Sequence, residues 1–315
     1  VVDCLAMLKA AVPPLPVRVI DDGSTDETAR LVAAVAAETP AGAVTLLSAG
    51  PLPDGWRGKV HAMAVGWPGI ETPWVALTDA DTRHHPQLVA RCLAAAESSG
   101  FAAVSIAGGQ AASGLGENLL VPPVFALLDA LLGDWQAAAD GSGPAVANGQ
   151  MILLRRSAWD EAGGFATVRG ETLDDVAIVK RLRAAGFRTA FFRAPDLLTI
   201  RMYRGFREAA NGWRRNLGGL FGTTPGLVAV TLATLLLPVA AFAAALFRRD
   251  WVGAMLLWSA GSTASMLLRT SGGSPPAYGL LYPLDALVVA WVLACGVRDR
   301  RRGRLASWKG RRIRV

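Results

Sequence analysis

The chain has 315 residues, of which 52% are hydrophobic, with a mean hydropathy of +0.34 and a net charge of +7. This length is ample for a buried core. The three cysteines, Cys4, Cys92 and Cys295, are too scattered for a disulfide framework or a zinc site, which excludes both classes and fits a reducing compartment.

The first 200 residues alternate short β-rich runs with alanine-rich segments of helical spacing. This alternation predicts an α/β fold, a mostly parallel sheet with helices on both faces. In such sheets, ligands bind beyond the carboxyl ends of the strands. The predicted strands are 17–21, 44–48, 74–78, 102–106, 150–154 and 189–193, and the predicted helices include 26–38 and 86–99.

An acidic turn, DDGSTDET at 21–28, follows the first of these strands. Gly23 suits a tight turn, and Ser24 and Glu27 have the spacing of a capping box that opens the next helix. This leaves Asp22 at the strand tip, where a carboxylate can accept hydrogen bonds from a nucleobase or a ribose hydroxyl. The alternative is a turn without a binding role.

A second acidic strand tip is LTDADT at 77–82. Residues i and i+2 of an extended chain point to the same side, so Asp79 and Asp81 are expected to share a cation, a sugar hydroxyl or an arginine. Mg²⁺ and Mn²⁺ prefer such oxygen ligands together with substrate phosphates. A plain strand end with a helix cap is the alternative, and the adjacent His84 and His85 are a weaker metal candidate.

A third acidic pair opens a predicted helix in GETLDDVAIVKRLRAAGFR, 170–188. Acidic residues are favourable at a helix N-terminus, and for Asp174 this can be the whole explanation. A carboxylate here can also act as a general base, and Asp175 is the candidate.

The last hundred residues differ in composition, with apolar segments at 226–247, 251–268 and 278–297 followed by a basic tail at 298–315. The first segment has no charge over 22 residues, long enough to cross ~30 Å of hydrocarbon. A basic tail directly after a membrane segment favours anionic lipid over nucleic acid as its partner. Three full crossings would place the tail opposite the globular part, against the positive-inside rule. Two crossings and one re-entrant or interfacial segment would reconcile them.

The ordered motifs together resemble family 2 glycosyltransferases of the GT-A fold. They are DDGSTD, GWRGK at 55–59, TDADT, ANGQMILLRRSAWDEAGGF at 147–165, LDDVAI at 173–178, RMYRGFREAANGWRRNL at 201–217 and WKGRR at 308–312. The chain is most similar to the membrane-associated branch with carotenoid and hopanoid-associated glycosyltransferases and, more distantly, ceramide glucosyltransferase.

The resemblance implies donor-binding roles for several residues. Asp22 matches the aspartate that contacts the nucleoside, and Lys59 matches a lysine of the donor-binding region. Asp79 and Asp81 match the metal-binding DxD pair, with Asp81 the more direct ligand.

The resemblance also implies the catalytic group. Asp175 matches the family's catalytic base, and Asp174 takes the place usually held by glutamate. Trp213, Arg214 and Arg215 stand where related processive enzymes carry a Gln-x-x-Arg-Trp motif, and this match is loose.

On this basis we expect a catalytic domain at 1–220, a membrane region at 221–297 and a basic tail. The resemblance implies an inverting, Mg²⁺- or Mn²⁺-dependent transfer from a nucleotide-sugar to a membrane lipid, with the catalytic domain in the cytoplasm. It also implies that the family's first strand is absent before the predicted helix at 1–11. The alternatives are a metal-dependent nucleotidyl- or phosphotransferase and a non-catalytic membrane binding protein.

Overall fold

A computed structural model of the chain describes residues 1–132, 143, 145–171, 173–221, 224–303, 305–308 and 311–314. The chain forms two compact units, which we call the sheet unit and the helical unit. The sheet unit consists of Val1–Gly109 and Leu132–Ile200, and the helical unit consists of Gln110–Leu131 and Arg201–Val315.

The sheet unit alternates strands and helices in the predicted order, and each predicted strand lies within one residue of an observed one. Its strands are β1 (Val17–Asp21), β2 (Val44–Ser48), β3 (Trp74–Thr78), β4 (Thr82–His84), β5 (Ala103–Ala107), β6 (Gly109–Gln110, at the unit boundary), β7 (Met151–Arg155), β8 (Thr189–Arg193) and β9 (Leu198–Ile200). Its helices are α1 (Val2–Lys9), α2 (Thr28–Ala37), α3 (Gly58–Gly66), α4 (Leu88–Ser99), α7 (Arg156–Glu161) and α8 (Asp174–Ala184), with a 3₁₀ turn at Phe165–Val168.

The strands form mixed sheets, and the predicted α/β class is confirmed. β1 and β2 form a parallel pair, and a larger sheet has the order β3-β7-β5-β8. In this sheet β5 and β8 are parallel, whereas β7 is antiparallel to both β3 and β5, so the sheet is not mostly parallel. Because Thr78 at the end of β3 pairs with Met151 at the start of β7, the residues just before β7 lie beside the tip of β3.

One hydrophobic core fixes α8 in the sheet unit. Ile178 and Leu182, one helical turn apart on α8, are both fully buried in a cluster with Trp159 and Phe165. Burial of side chains of this size contributes roughly 1.5–3 kcal/mol each. This packing determines where the acidic N-terminus of α8 lies within the unit.

The helical unit contains six helices among its described residues. They are α5 (Gly114–Asn118), α6 (Val121–Leu132, whose last residue falls in the sheet unit), α9 (Phe206–Phe221), α10 (Pro225–Phe247), α11 (Trp251–Ser271) and α12 (Tyr282–Arg301), with a 3₁₀ turn at Pro276–Leu281 before α12 and a hairpin of β10 (Leu305–Trp308) and β11 (Arg311–Arg314) after it.

Three segments of this unit are long and apolar enough to cross a membrane: Pro225–Phe247, Trp251–Ser271 and Pro276–Arg301. They agree with the predicted apolar segments. The third is half buried inside the protein, whereas the first two are 6% and 11% buried. About half of the third segment is therefore covered by protein.

The protein that covers α12 includes segments that we predicted to belong to the catalytic domain. Residues from α6 and α9, among them Val124 and Trp213, share one buried cluster with Val289 and Leu293 of α12. Helix α9 crosses α12 closely, since a Cβ on Gly218 would lie 2.6 Å from the Gly296 carbonyl oxygen. The helical unit thus includes 110–131 and 201–221 in addition to the predicted membrane region.

Helix α12 begins beside the middle of α11, not beside its C-terminal end. The Tyr282 ring contacts Gly261 in the middle of α11, and the Ser265 hydroxyl donates to Asp285 at 3.3 Å. At the other end of α12, Val297 shares a cluster with Val228, which lies in the first turn of α10. The C-terminal end of α12 and the N-terminal end of α10 therefore lie at the same end of the helical unit.

A buried ion pair explains the acidic residue in the third apolar segment. The Arg269 guanidinium of α11 donates to Asp285 of α12 at 2.9 Å, and both side chains are almost fully buried. The same nitrogen donates to the Asn118 carbonyl at 2.9 Å, which attaches α5 to these helices. A buried charge is tolerated only when it is paired and hydrogen-bonded in this way.

Candidate active site

The turn between β3 and β4 holds the DxD pair. Asp79 follows β3, and Asp81 precedes β4, so the three residues 79–81 form a turn instead of an extended run. The Thr82 hydroxyl donates to the Asp79 carbonyl at 2.6 Å, and the Asp79 N–H donates to the Gln150 carbonyl at 3.2 Å. The first contact closes the turn, and the second holds it against the start of β7.

A buried histidine supports this turn from inside the unit. His84 Nε2 lies 2.9 Å from the hydroxyl oxygens of both Thr78 and Thr82. Burial lowers the pKa of His84 to about 4, so the ring is neutral at physiological pH. His84 therefore has a structural role in which Nε2 is already used by hydroxyl groups, and it is not placed as the metal candidate considered from the sequence.

Lys59, in the first turn of α3, joins two of the acidic groups. Its Nζ lies 2.8 Å from Asp79 Oδ1 and 3.4 Å from Asp174 Oδ2. Burial opposes the charged form, but the carboxylates of Asp79 and Asp174 raise the pKa of Lys59 above its usual range. The ammonium is thus a permanent positive charge between the tip of β3 and the N-terminus of α8.

Asp175 is held by backbone N–H groups. Gly149 N donates to Oδ2 at 2.8 Å, and Val176 N donates to Oδ1 at 2.8 Å. Burial and the neighbouring charge of Asp174 raise the pKa of Asp175, while these N–H groups and Lys59 act in the opposite direction. A carboxylate with a raised pKa and fixed orientation is suited to accept a proton.

The structure brings Lys59, Asp79, Asp174 and Asp175 together, as their predicted roles require. Asp22 lies at the carboxyl end of β1, which belongs to a different sheet. Gly23 has a φ of +77°, as a tight turn requires, but the predicted capping box does not form. Instead the Ser24 N–H donates to Asp21 Oδ1 at 3.1 Å, α2 begins only at Thr28, and the Glu27 side chain pairs with Arg30.

The three residues matched to the Gln-x-x-Arg-Trp motif lie in the helical unit. Trp213 is 4% exposed and packs edge-on against Phe125 and Tyr203. Arg214 forms an ion pair with Asp299 of α12. For Trp213, Arg214 and Arg215 a role in donor binding stays a prediction.

Comparison with known families identifies the class of protein. The family described as glycosyltransferase-like family 2 matches residues 1–211. The chain belongs to this family. A comparison with curated proteins finds no match.

Solved structures similar to this family 2 glycosyltransferase include those of S. aureus TarS. TarS 1-349 has 11% identity and a TM-score of 0.44, and the match covers 99% of this chain and 91% of that one. The complex of TarS 1-349 with UDP-GlcNAc gives the same four values. For TarS itself the identity is 10% and the TM-score 0.45, with coverage of 97% of this chain and 54% of that one.

One residue of the glycosyltransferase site had no predicted role. A Cβ on Gly149 would lie 2.7 Å from Lys59 Nζ and 3.5 Å from Asp175 Oδ2. Gly149 therefore leaves room for the ammonium while its N–H holds the carboxylate. The sequence signal was the quoted ANGQ run at 147–150 directly before a strand, where an isolated glycine often marks a close approach.

The available side chains can be compared with the ligands that the expected Mg²⁺ or Mn²⁺ requires. Among the described residues, no group of three or more His, Cys, Asp or Glu side chains is placed to hold a metal. Mg²⁺ is usually held by one or two carboxylates together with substrate phosphates, and Asp79 and Asp81 can provide that share. Lys59 Nζ already contacts Asp79 Oδ1 at 2.8 Å, and metal binding by these two carboxylates stays a prediction.

Proposed function

We propose that the protein transfers a sugar from a nucleotide-sugar, first among them a UDP-sugar, to a hydroxyl or carboxyl group of a membrane lipid. The proposed acceptors are carotenoid or other terpenoid molecules and sphingolipid-like molecules. The observation that carries the proposal is the Asp175 carboxylate, which is partly buried, held by two N–H groups and lies beside a lysine and a DxD turn in a family 2 glycosyltransferase.

The proposed reaction needs one base. Asp175 removes the proton from the acceptor group, whose oxygen then forms a bond to the anomeric carbon of the sugar. The bond from that carbon to the diphosphate oxygen breaks, and the nucleoside diphosphate leaves with the electron pair. Attack from the face opposite the leaving group inverts the configuration, as the family resemblance implies.

The remaining residues act on the donor. Asp22 accepts hydrogen bonds from the nucleoside, and Asp79 and Asp81 would hold Mg²⁺ or Mn²⁺ when the metal is bound. The metal, when bound, neutralises charge on the leaving diphosphate. Lys59 adds a positive charge that is already in place, which matters most in a site shielded from water.

The membrane segments support a lipid acceptor and a specific topology. We propose that α10 and α11 cross the membrane and that residues 272–301 enter it and return. If α10 and α11 both cross completely, α11 ends on the side of the membrane where α10 begins. Helix α12 also ends on that side, because its C-terminal end lies beside the start of α10. Residues 272–301 would therefore enter and leave the membrane on the same side. The basic residues after α12 then lie on the side from which the chain enters α10, which the positive-inside rule makes cytoplasmic, and bind anionic lipid there.

The test is an incorporation assay with membranes that contain the full chain. Radiolabelled UDP-sugars are supplied with a lipid extract and with Mn²⁺, Mg²⁺ or EDTA. We expect label in the lipid phase that depends on the metal. If the amount of labelled lipid formed with EDTA equals the amount formed with either metal, the proposed role of the metal is wrong. Release of free nucleotide and sugar without any labelled lipid would contradict the lipid acceptor.

A further inference from the structure

A groove with two kinds of lining lies between the start of α10 and the end of α12. We call it the arginine groove. Its volume is about 370 Å³, at the lower end of the ~300–1,000 Å³ typical of small-molecule sites. It is lined by Val228, Leu232, Ala294, Val297, Arg298, Arg301 and Arg302.

The apolar lining continues into the surface of a membrane-crossing segment. Val228 and Leu232 belong to the first turns of α10, whose mean hydropathy over the spanning window is 2.3. Farther along the same helix, Val230 and Leu237 are 61% and 66% exposed, as lipid-facing side chains would be. An acyl chain in the groove would thus be continuous with the hydrocarbon around α10.

The polar lining carries three positive charges. Arg298, Arg301 and Arg302 are exposed and close the groove at the end of α12. The one acidic residue between Ala286 and Gly303 is Asp299, which forms its ion pair with Arg214 of α9. The groove therefore has a net positive charge, and guanidinium groups bind phosphate oxygens in a bidentate manner.

The position of the groove favours a lipid over a soluble anion. The arginines lie at the level where α10 starts, which for a helix that crosses the membrane is the level of the headgroups. The phosphate of a lipid would contact the polar lining, and its acyl chain would contact the apolar lining. A free anion would contact only the polar lining.

We propose that the arginine groove is a binding site for one anionic phospholipid, with the phosphate on the three arginines and an acyl chain along Val228 and Leu232. This differs from a loose attraction between the basic tail and the membrane surface. A discrete site binds a countable lipid, and its affinity depends on the apolar lining as well as on charge. The site is independent of the glycosyl-transfer reaction proposed above.

The experiment counts bound phosphatidylglycerol on the full chain in detergent by native mass spectrometry, over a titration of that lipid. The double variant Arg298→Gln/Arg301→Gln removes two charges of the groove. The matched control, Arg248→Gln/Arg249→Gln, removes two charges at the opposite end of α10. We expect the groove variant to raise the Kd of the tightest phosphatidylglycerol at least tenfold and the control to change it less than twofold.

A second variant keeps every charge and fills the apolar half. In Ala294→Trp the indole occupies the acyl-chain path, so we expect a similar loss of affinity, while phosphatidylcholine binding stays weak throughout. Equal losses in the groove variant and in the arginine control would overturn the proposal. So would wild-type affinity in Ala294→Trp, or competition by inorganic phosphate at concentrations similar to the lipid, since either result describes a general anion site.

Discussion

The substitution Gly149→Ala tests whether the space beside Lys59 matters for catalysis. The new methyl group would lie 2.7 Å from Lys59 Nζ, well inside van der Waals contact. The flexible end of the lysine can move away by about 1 Å, and the backbone N–H that holds Asp175 is retained. The substitution therefore acts on the ammonium and leaves the carboxylate held.

The size of the effect follows from the contact that is lost. A shift of that size breaks the hydrogen bond from Nζ to Asp79 Oδ1, now 2.8 Å long. Misplacing an active-site group by about 1 Å can cost about 100-fold in rate, so we expect roughly a 10–100-fold loss of kcat/KM. Stability should change by less than about 1 kcal/mol, because the Lys59 side chain is 44% exposed and an exposed ion pair adds little to folding.

The assay is transfer of labelled sugar into lipid over a range of donor concentrations, with thermal unfolding of the same preparations. Gly170→Ala is the matched control, since its Cβ would lie 3.6 Å from the Gly55 carbonyl oxygen, an ordinary contact. A Gly149→Ala protein with kcat/KM within twofold of the wild type would mean that the position of the ammonium is irrelevant to the reaction.

Three further outcomes follow from the structure. Lys59→Met should raise the pKa of Asp175, since the lysine acts to lower it, so the acidic limb of the kcat/KM–pH profile moves to higher pH; Lys59→Arg should leave the limb in place. Burial lowers the pKa of His84 from 6.5 in the unfolded chain to about 4 in the folded protein. The neutral ring costs the fold nothing above pH 6.5, and up to about 3 kcal/mol of the free energy of unfolding is lost as the pH falls from 6.5 towards 4. The free energy of unfolding should therefore depend less on pH in His84→Gln. Gly218→Ala should destabilise the protein by about 1–3 kcal/mol, measured by thermal unfolding, because the methyl group meets the Gly296 backbone at 2.6 Å; an unchanged stability would contradict the observed helix crossing.

The strands and the acidic tips were predictable because each depends on local sequence. Apolar runs such as VRVID and WVALT end at polar turn residues, and both appear as strands with the predicted bounds. The DxD position followed from the end of β3. Its geometry did not, because the prediction assumed an extended chain from Asp79 to Asp81, whereas the Thr82 hydroxyl donates to the Asp79 carbonyl and closes a turn.

The contacts that build the site were not predictable, because they join distant parts of the chain. Lys59 reaches Asp79 and Asp174 only because α3, β3 and α8 meet within the sheet unit. Gly149 reaches Asp175 because β7 starts antiparallel beside the end of β3. Strand direction in a mixed sheet depends on the connection between β5 and β7, which passes through the helical unit and has no local pattern that reveals it.

The membrane segments show the limit of hydropathy as a guide. Length and apolar composition located all three segments. They do not reveal that α12 begins beside the middle of α11, which depends on small contacts such as Gly261 with Tyr282 and on the buried pair of Arg269 and Asp285. The re-entrant alternative considered from the charge distribution is the one these contacts favour.

In the proposed mechanism Asp175 is the base of a glycosyl transfer. The most direct measurement is the rate of sugar transfer to lipid by Asp175→Asn, together with the Kd of the UDP-sugar for the same protein. Asparagine keeps an oxygen for the Gly149 N–H, so the fold and donor binding should persist. Asp196→Asn, at an exposed position, is the control.

We expect transfer by Asp175→Asn to fall roughly 100–10,000-fold, the usual contribution of a general base, while the Kd of the donor changes by less than threefold. Transfer within tenfold of the wild type would contradict it. The carboxylates would then serve a reaction that needs no base at this position, as a nucleotidyl- or phosphotransferase would.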